Sequence, residues 1–143
     1  MRTAKKFAVC LVGVSMMLTG SMLRAQEVLI VANRSVVISQ ITSAQIRELF
    51  TGTKTRFSDG SHAVPVVLKG GPVHEVFLRR HVEDSSEEFR TRWRLVFTGQ
   101  GSMLKEFATE AAMLEYIIST PGAIGYVSRV TVPDAVKILV VQR

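Results

Sequence analysis

The stretch Ala63 to Phe77, AVPVVLKGGPVHEVF, changes its hydrophobic period part-way along, and that change decides the fold class. Ala63 to Leu68 is a short apolar run rich in β-branched residues, the pattern of a strand buried on both faces. Pro65 lacks an amide donor, so it belongs at a first pairing position or an edge. Lys69-Gly70-Gly71 breaks the run, and Pro72 suits the first turn of a helix. Val73, Val76 and Phe77 then recur at the spacing of one helical face. A buried strand feeding directly into an amphipathic helix is half of a crossover between parallel strands.

Upstream, Val28 to Ala32 (VLIVA) is a second continuous apolar run and reads as a buried strand. Asn33 to Gln40 reads as a connection. A helix begins after Thr42, which serves as N-cap with Gln45 completing a capping box and Ile41 and Ile46 forming a hydrophobic staple. Ile46, Leu49 and Phe50 form its inward face, Gly52 ends it, and Ser58-Asp59-Gly60-Ser61 is a turn. Downstream, Ser85 or Ser86 caps a helix whose first turn carries Glu87 and Glu88. Its apolar positions are Phe89, Trp93, Val96 and Phe97. Thr98 to Ser102 is a loop. Thr109 caps another helix, carrying Leu114, Ile117 and Ile118 and stopped by Pro121-Gly122. Ala123 to Val127 and Val136 to Val141 read as strands. The order β-α-β-α-α-α-β-β predicts an α/β fold: a three-layer, open, mostly parallel sheet flanked by helices.

The chain has 143 residues, enough for one domain. Residues 1–25 read as a secretory signal rather than as part of that domain. Arg2, Lys5 and Lys6 precede an apolar run from Phe7 to Leu18, and Ala25 offers a small residue before a cut at Gln26. Leu23 stands where a second small residue is usual. The alternative is an uncleaved anchor: the uncharged stretch between Lys6 and Arg24 is 17 residues, short of the roughly 20 that span a bilayer. Without an anchor, residues 26–143 form a single exported domain in the periplasm with no membrane span.

Charge then argues differently from the whole-chain total. The sequence has 18 Lys and Arg against 12 Asp and Glu, but four of the basic residues precede Gln26, which leaves a net of +2. Nucleic-acid binding would need a concentrated basic face. Cys10, the only cysteine, lies in the signal, so residues 26–143 form no disulfide and carry no thiolate chemistry.

No P-loop, nucleophile elbow or cysteine nucleophile is present, so the reading is a non-enzyme with no cofactor. His74 and His81 are seven apart, whereas helical metal ligands usually sit at i and i+4; with His62 they read as solvated surface histidines. Arg90, Arg92 and Arg94 flank Trp93 and read as a solvated face pairing with Glu87 and Glu88. The feature with binding chemistry is the turn at Lys69-Gly70-Gly71. A helix start presents free amides and the positive end of the dipole, glycines admit an anion close to the backbone, and Lys69 adds a charge. In an open α/β sheet such a turn lies beyond the carboxyl ends of the strands, where ligands bind.

Several segments resemble a known family. Ile46-Arg47-Glu48-Leu49-Phe50-Thr51-Gly52, followed by Thr55-Arg56-Phe57-Ser58-Asp59-Gly60, resembles an element of phosphate ABC-transporter substrate-binding proteins, with Phe57 where tryptophan is commoner. Phe97-Thr98-Gly99-Gln100-Gly101 and Thr120-Pro121-Gly122-Ala123-Ile124-Gly125-Tyr126-Val127 resemble further elements in the same order. The resemblance is closest to short, single-lobe members and implies one lobe of a type II periplasmic binding protein. The full-length family grips phosphate with a Ser-Gly-Thr run at a helix start. Here that run falls on Pro72, Val73 and His74, so its hydroxyls are absent. The implied ligand set is Lys69, Gly70, Gly71, Val73 and His74, through the amides of Val73 and His74 and a donor on the His74 ring. The expected function is binding of phosphate or a similar oxyanion linked to ABC-type transport, the missing wall of the cleft coming from a homodimer or an envelope partner. The alternative is an accessory interaction protein of the envelope that kept the lobe and lost the ligand.

Overall fold

The computed structural model describes residues 27–97, 104–129 and 132–143. The signal segment, the Thr98–Ser102 loop and most of the Phe97–Gly101 element lie outside them. The elements are β1 (Val28–Ala32), β2 (Gln40–Thr42), α1 (Ser43–Phe50), β3 (Val64–Leu68) and α2 (Pro72–Phe77), which runs on into a π-helical segment (Leu78–Val82). Then come α3 (Ser86–Phe97), β4 (Lys105–Phe107), α4 (Glu110–Ser119), β5 (Ala123–Ser128) and β6 (Lys137–Gln142).

The six strands form one sheet in the order β2-β6-β1-β5-β3-β4. β1 is antiparallel to both its neighbours, β5 and β6. The pairs β2–β6, β3–β5 and β3–β4 are parallel. Five strands therefore run one way and β1 alone runs against them, so the expected α/β sheet is mostly parallel, with the reversed strand near its middle.

Tyr126 and Gly125 are neighbours on β5 and point to opposite faces. Tyr126 stacks on Phe77 with ring centroids 3.8 Å apart and lies 6.2 Å from Phe50, so α1 and α2 cover its face. A side chain on Gly125 would meet Ile117 and Met113, so α4 covers the other. These are the three layers. The core follows the apolar runs read from the sequence: Ile30, Val31, Val66, Val67, Ile124, Tyr126 and Val127 are all fully buried. Pro65 fits as expected. The Val64 amide donates to Gly122 O at 2.9 Å, so the Pro65 nitrogen faces the β4 side, where pairing starts only at Val66.

The caps form as read. The Thr42 hydroxyl accepts from the Gln45 amide at 3.1 Å, and Gln45 Oε1 accepts from the Thr42 amide at 3.0 Å. Ser85 rather than Ser86 caps α3: its hydroxyl accepts from the Glu88 amide at 3.2 Å, and Glu88 accepts in return from the Ser85 amide. Other expectations need correction. The apolar pattern assigns no strand at β2, where Ile41 and Thr42 read as the helix start, or at β4, because three residues are too few to show a period. Val96 and Ile118 are exposed, so the buried stripes of α3 and α4 rest on Phe89 and Trp93 and on Met113, Leu114 and Ile117. His74 and His81 are buried rather than solvated. Arg92 pairs with Asp84 at 2.9 Å, upstream of the helix, while Glu88 serves the cap.

Candidate functional site

The turn between β3 and α2 sits at the carboxyl edge of the sheet. Lys69 leaves β3 with its amide donating to Phe107 O at 2.9 Å, which ties the turn to the end of β4. Lys69, Gly70, Gly71 and Pro72 are exposed. Gly71 is the N-cap residue of α2 at φ 99° and ψ 174°, and it offers no side-chain cap. That conformation is essentially restricted to glycine. A Cβ added at Gly70 or Gly71 would meet nothing within 4 Å. The first helical bond runs from the Glu75 amide to Gly71 O at 3.1 Å, so the amides of Val73 and His74 precede the hydrogen-bonded ladder.

The side chains of the two helical residues turn inward. Val73 is 9% and His74 4% exposed. The His74 ring bonds through Nδ1 to the Tyr126 hydroxyl, and that hydroxyl accepts from the Leu68 amide at 3.0 Å. The Tyr126 hydroxyl and His74 Nδ1 share one hydrogen bond, whose donor and acceptor are set by the imidazole tautomer. Burial pushes the Tyr126 phenol far up, with the Leu68 bond acting in the opposite direction, so the phenol stays protonated. Burial likewise lowers His74 from its usual 6.5; Glu75 acts against this and Arg90 adds to it. His74 is thus a neutral ring spent on holding the turn. Leu68 starts that turn and His74 ends it, and both hang on one tyrosine.

Of the residues expected to contact a ligand, Lys69, Gly70, Gly71 and the amides of Val73 and His74 lie together on one exposed turn. The His74 ring does not join them as a donor through Nδ1. Sequence reading missed Tyr126 as a neighbour of this turn. A tyrosine in a fully apolar strand needs a partner for its hydroxyl, and that signal pointed to Tyr126 without naming its partner. A cleft of about 470 Å3 lies elsewhere on the molecule, between α1 and residues 53–58.

The arrangement of sheet and helices has counterparts among solved structures. A Clostridium perfringens protein described as a phosphate ABC transporter substrate-binding protein, solved with bound phosphate, superposes with a TM-score of 0.62 at 19% identity. An ABC-type phosphate transport receptor from Vibrio cholerae gives 0.60 at 15%, and PstS from Borrelia burgdorferi 0.59 at 14%. The fold is that of one lobe of a periplasmic binding protein. Each match covers 80% of this chain but 44%, 45% and 47% of the other, so the lobe spans less than half the length of these proteins. No protein-family model matches the sequence, and no curated protein does. Among the described residues, no helix of the lobe is long and apolar enough to cross a membrane.

Proposed function

We propose that this lobe is an exported, non-enzymatic solute-binding module that holds a small oxyanion, phosphate or a close relative, at the β3–α2 turn, in the service of ABC-type transport across the periplasm. The observation that carries this reading is Gly71: an open, uncapped helix start in a glycine-only conformation, facing solvent at the carboxyl edge of the sheet. The amides of Val73 and His74 are free to donate to an anion, and Lys69 supplies charge beside them. The donors of such a half-site face water on one side. A second wall, from another copy of the lobe or an envelope partner, excludes that water and strengthens every contact.

Titration calorimetry with phosphate, and with sulfate as competitor, tests the reading alongside light scattering with and without phosphate. The expected result is saturable heat, a raised melting temperature and ligand-dependent association. No heat and no melting shift at millimolar phosphate ends the proposal. The inward commitment of His74 favours a second reading, an accessory envelope protein without a ligand. For that reading, a specific envelope protein co-purifies while phosphate gives no signal.

A further inference from the structure

We propose that the cleft between the π-helical segment and the β1–β6 side of the sheet is a second binding site, distinct from the Lys69–Gly71 turn, and that it takes a small organic anion with an apolar body, such as an aryl or alkyl carboxylate. The cleft measures about 640 Å3, within the roughly 300–1,000 Å3 of small-molecule sites. Its sheet side is apolar, with Val28, Leu139 and Val141, and its helical side carries Arg47, Arg80 and His81. Register places Val28 and Leu139 on the sheet face that α1 and α2 cover.

Three observations point to a binding site, the first of them to an anionic occupant. First, the two carboxylate side chains that line the cleft are already held: Glu83 by Arg47 at 2.8 Å and Glu27 by Arg129 at 2.5 Å. Arg80 is left with no ion-pair partner among the described residues, so a cation would meet net positive charge. Second, two residues of the lining carry buried polar atoms with no hydrogen-bond partner, Nε of Arg47 and Nδ1 of His81. His81 is 5% exposed, and burial first and Arg80 second lower its pKa, so its ring is neutral. Orphaned buried polar atoms are uncommon in folded proteins. Third, Arg80 and His81 are presented by a π-helical segment, closed by Glu83 at φ 63° with its amide donating to Leu78 O. Segments of that kind are rare and recur at functional sites. A carboxylate beside Arg80, with its hydrocarbon body over Val28 and Val141, meets the chemistry of both walls.

The test is an amide-resolved NMR titration of the full chain with benzoate, with benzyl alcohol as the neutral control and inorganic phosphate as the control for the other site. Benzoate is expected to give saturable shifts at Arg47, Arg80 to Glu83 and Leu139 to Val141, and benzyl alcohol none. Arg80 is exposed, so Arg80→Glu should leave the melting temperature unchanged while weakening benzoate about tenfold, the size of one lost charge-assisted contact. The absence of saturable shifts, equal shifts with benzyl alcohol, or unchanged affinity in Arg80→Glu overturns the proposal. Benzoate shifts confined to Lys69 to His74 overturn it too, while leaving the turn as an anion site. Phosphate shifts at that turn neither depend on the cleft nor rescue it.

Discussion

Gly71 and Gly122 both hold positive φ, 99° and 78°, and both stand at the edge of the sheet, yet their surroundings are opposite. A Cβ on Gly122 would lie 2.5 Å from the carbonyl oxygen of His62. Its amide donates to the Ser35 hydroxyl at 3.0 Å and its carbonyl accepts from Val64. A Cβ on Gly71 would meet nothing. Gly122 is glycine because the chain is packed there, whereas Gly71 is glycine because the backbone must take that shape in open space. A glycine demanded by conformation and surrounded by nothing is where a molecule leaves room for something else.

The contrast is broken most sharply at the closed end. In Gly122→Ala a left-handed residue and a clash with backbone that cannot rotate away act together. The expected loss is about 3 kcal/mol, or roughly 10 °C in melting temperature for a domain of this size. Calorimetry that finds less than a third of that loss would mean that the β5 edge is soft, and the distinction between the two turns would fall.

Tyr126 links the two ends of the open turn, so Tyr126→Phe tests whether the turn is held from below. Removing the hydroxyl strands the Leu68 amide and the His74 ring in a buried setting, a cost of about 2 kcal/mol by urea denaturation. The same linkage has a pH signature. His74 and His81 are held below their usual 6.5 chiefly by burial. The unfolded chain therefore binds more protons than the folded one as pH drops through that value. Stability is full above about pH 7 and falls as pH drops toward the folded values. A urea midpoint that stays level from pH 8 to pH 5.5 would show that neither ring is buried as neutral imidazole.

Much of this was legible in the sequence, and the rest was hidden for identifiable reasons. Continuous apolar runs gave β1, β3, β5 and β6, and Thr42 and Thr109 announced α1 and α4, with the Thr109 hydroxyl accepting from the Ala112 amide at 3.2 Å. The reversal of β1 was invisible, because a strand buried on both faces carries no directional mark. The burial of His74 and His81 was missed because a helix face is assigned by its apolar residues, and histidine reads as polar until a partner is known. Asn33 shows the same gap. It read as part of a connection, yet its side-chain amide donates to the carbonyls of Ile117 and Ile118 at 2.7 and 2.9 Å and so closes α4 from 84 residues away. Pairings of that length leave no local pattern.

At the open end the effects on stability shrink and those on binding grow. Gly71→Ala meets no neighbour, so its cost is backbone strain alone, about 1 kcal/mol. The residue escapes that strain by swinging the peptide, which carries the helix start with it. Phosphate affinity should therefore fall further than stability does, and a variant that loses stability but binds phosphate as before would separate the ligand from this turn.

Lys69→Ala should be the mildest change. The side chain is exposed and its ordered contact is through the backbone amide to Phe107 O, which alanine keeps. Stability should move by less than about 0.5 kcal/mol. The consequence should appear in the salt dependence of phosphate binding, since a solvated ammonium acts as a screened point charge. Wild-type affinity should drop between low and physiological ionic strength, and the variant should start lower and drop less. Parallel salt curves for the two proteins would leave the amides beyond Gly71 as the whole of the attraction and remove the lysine from the site.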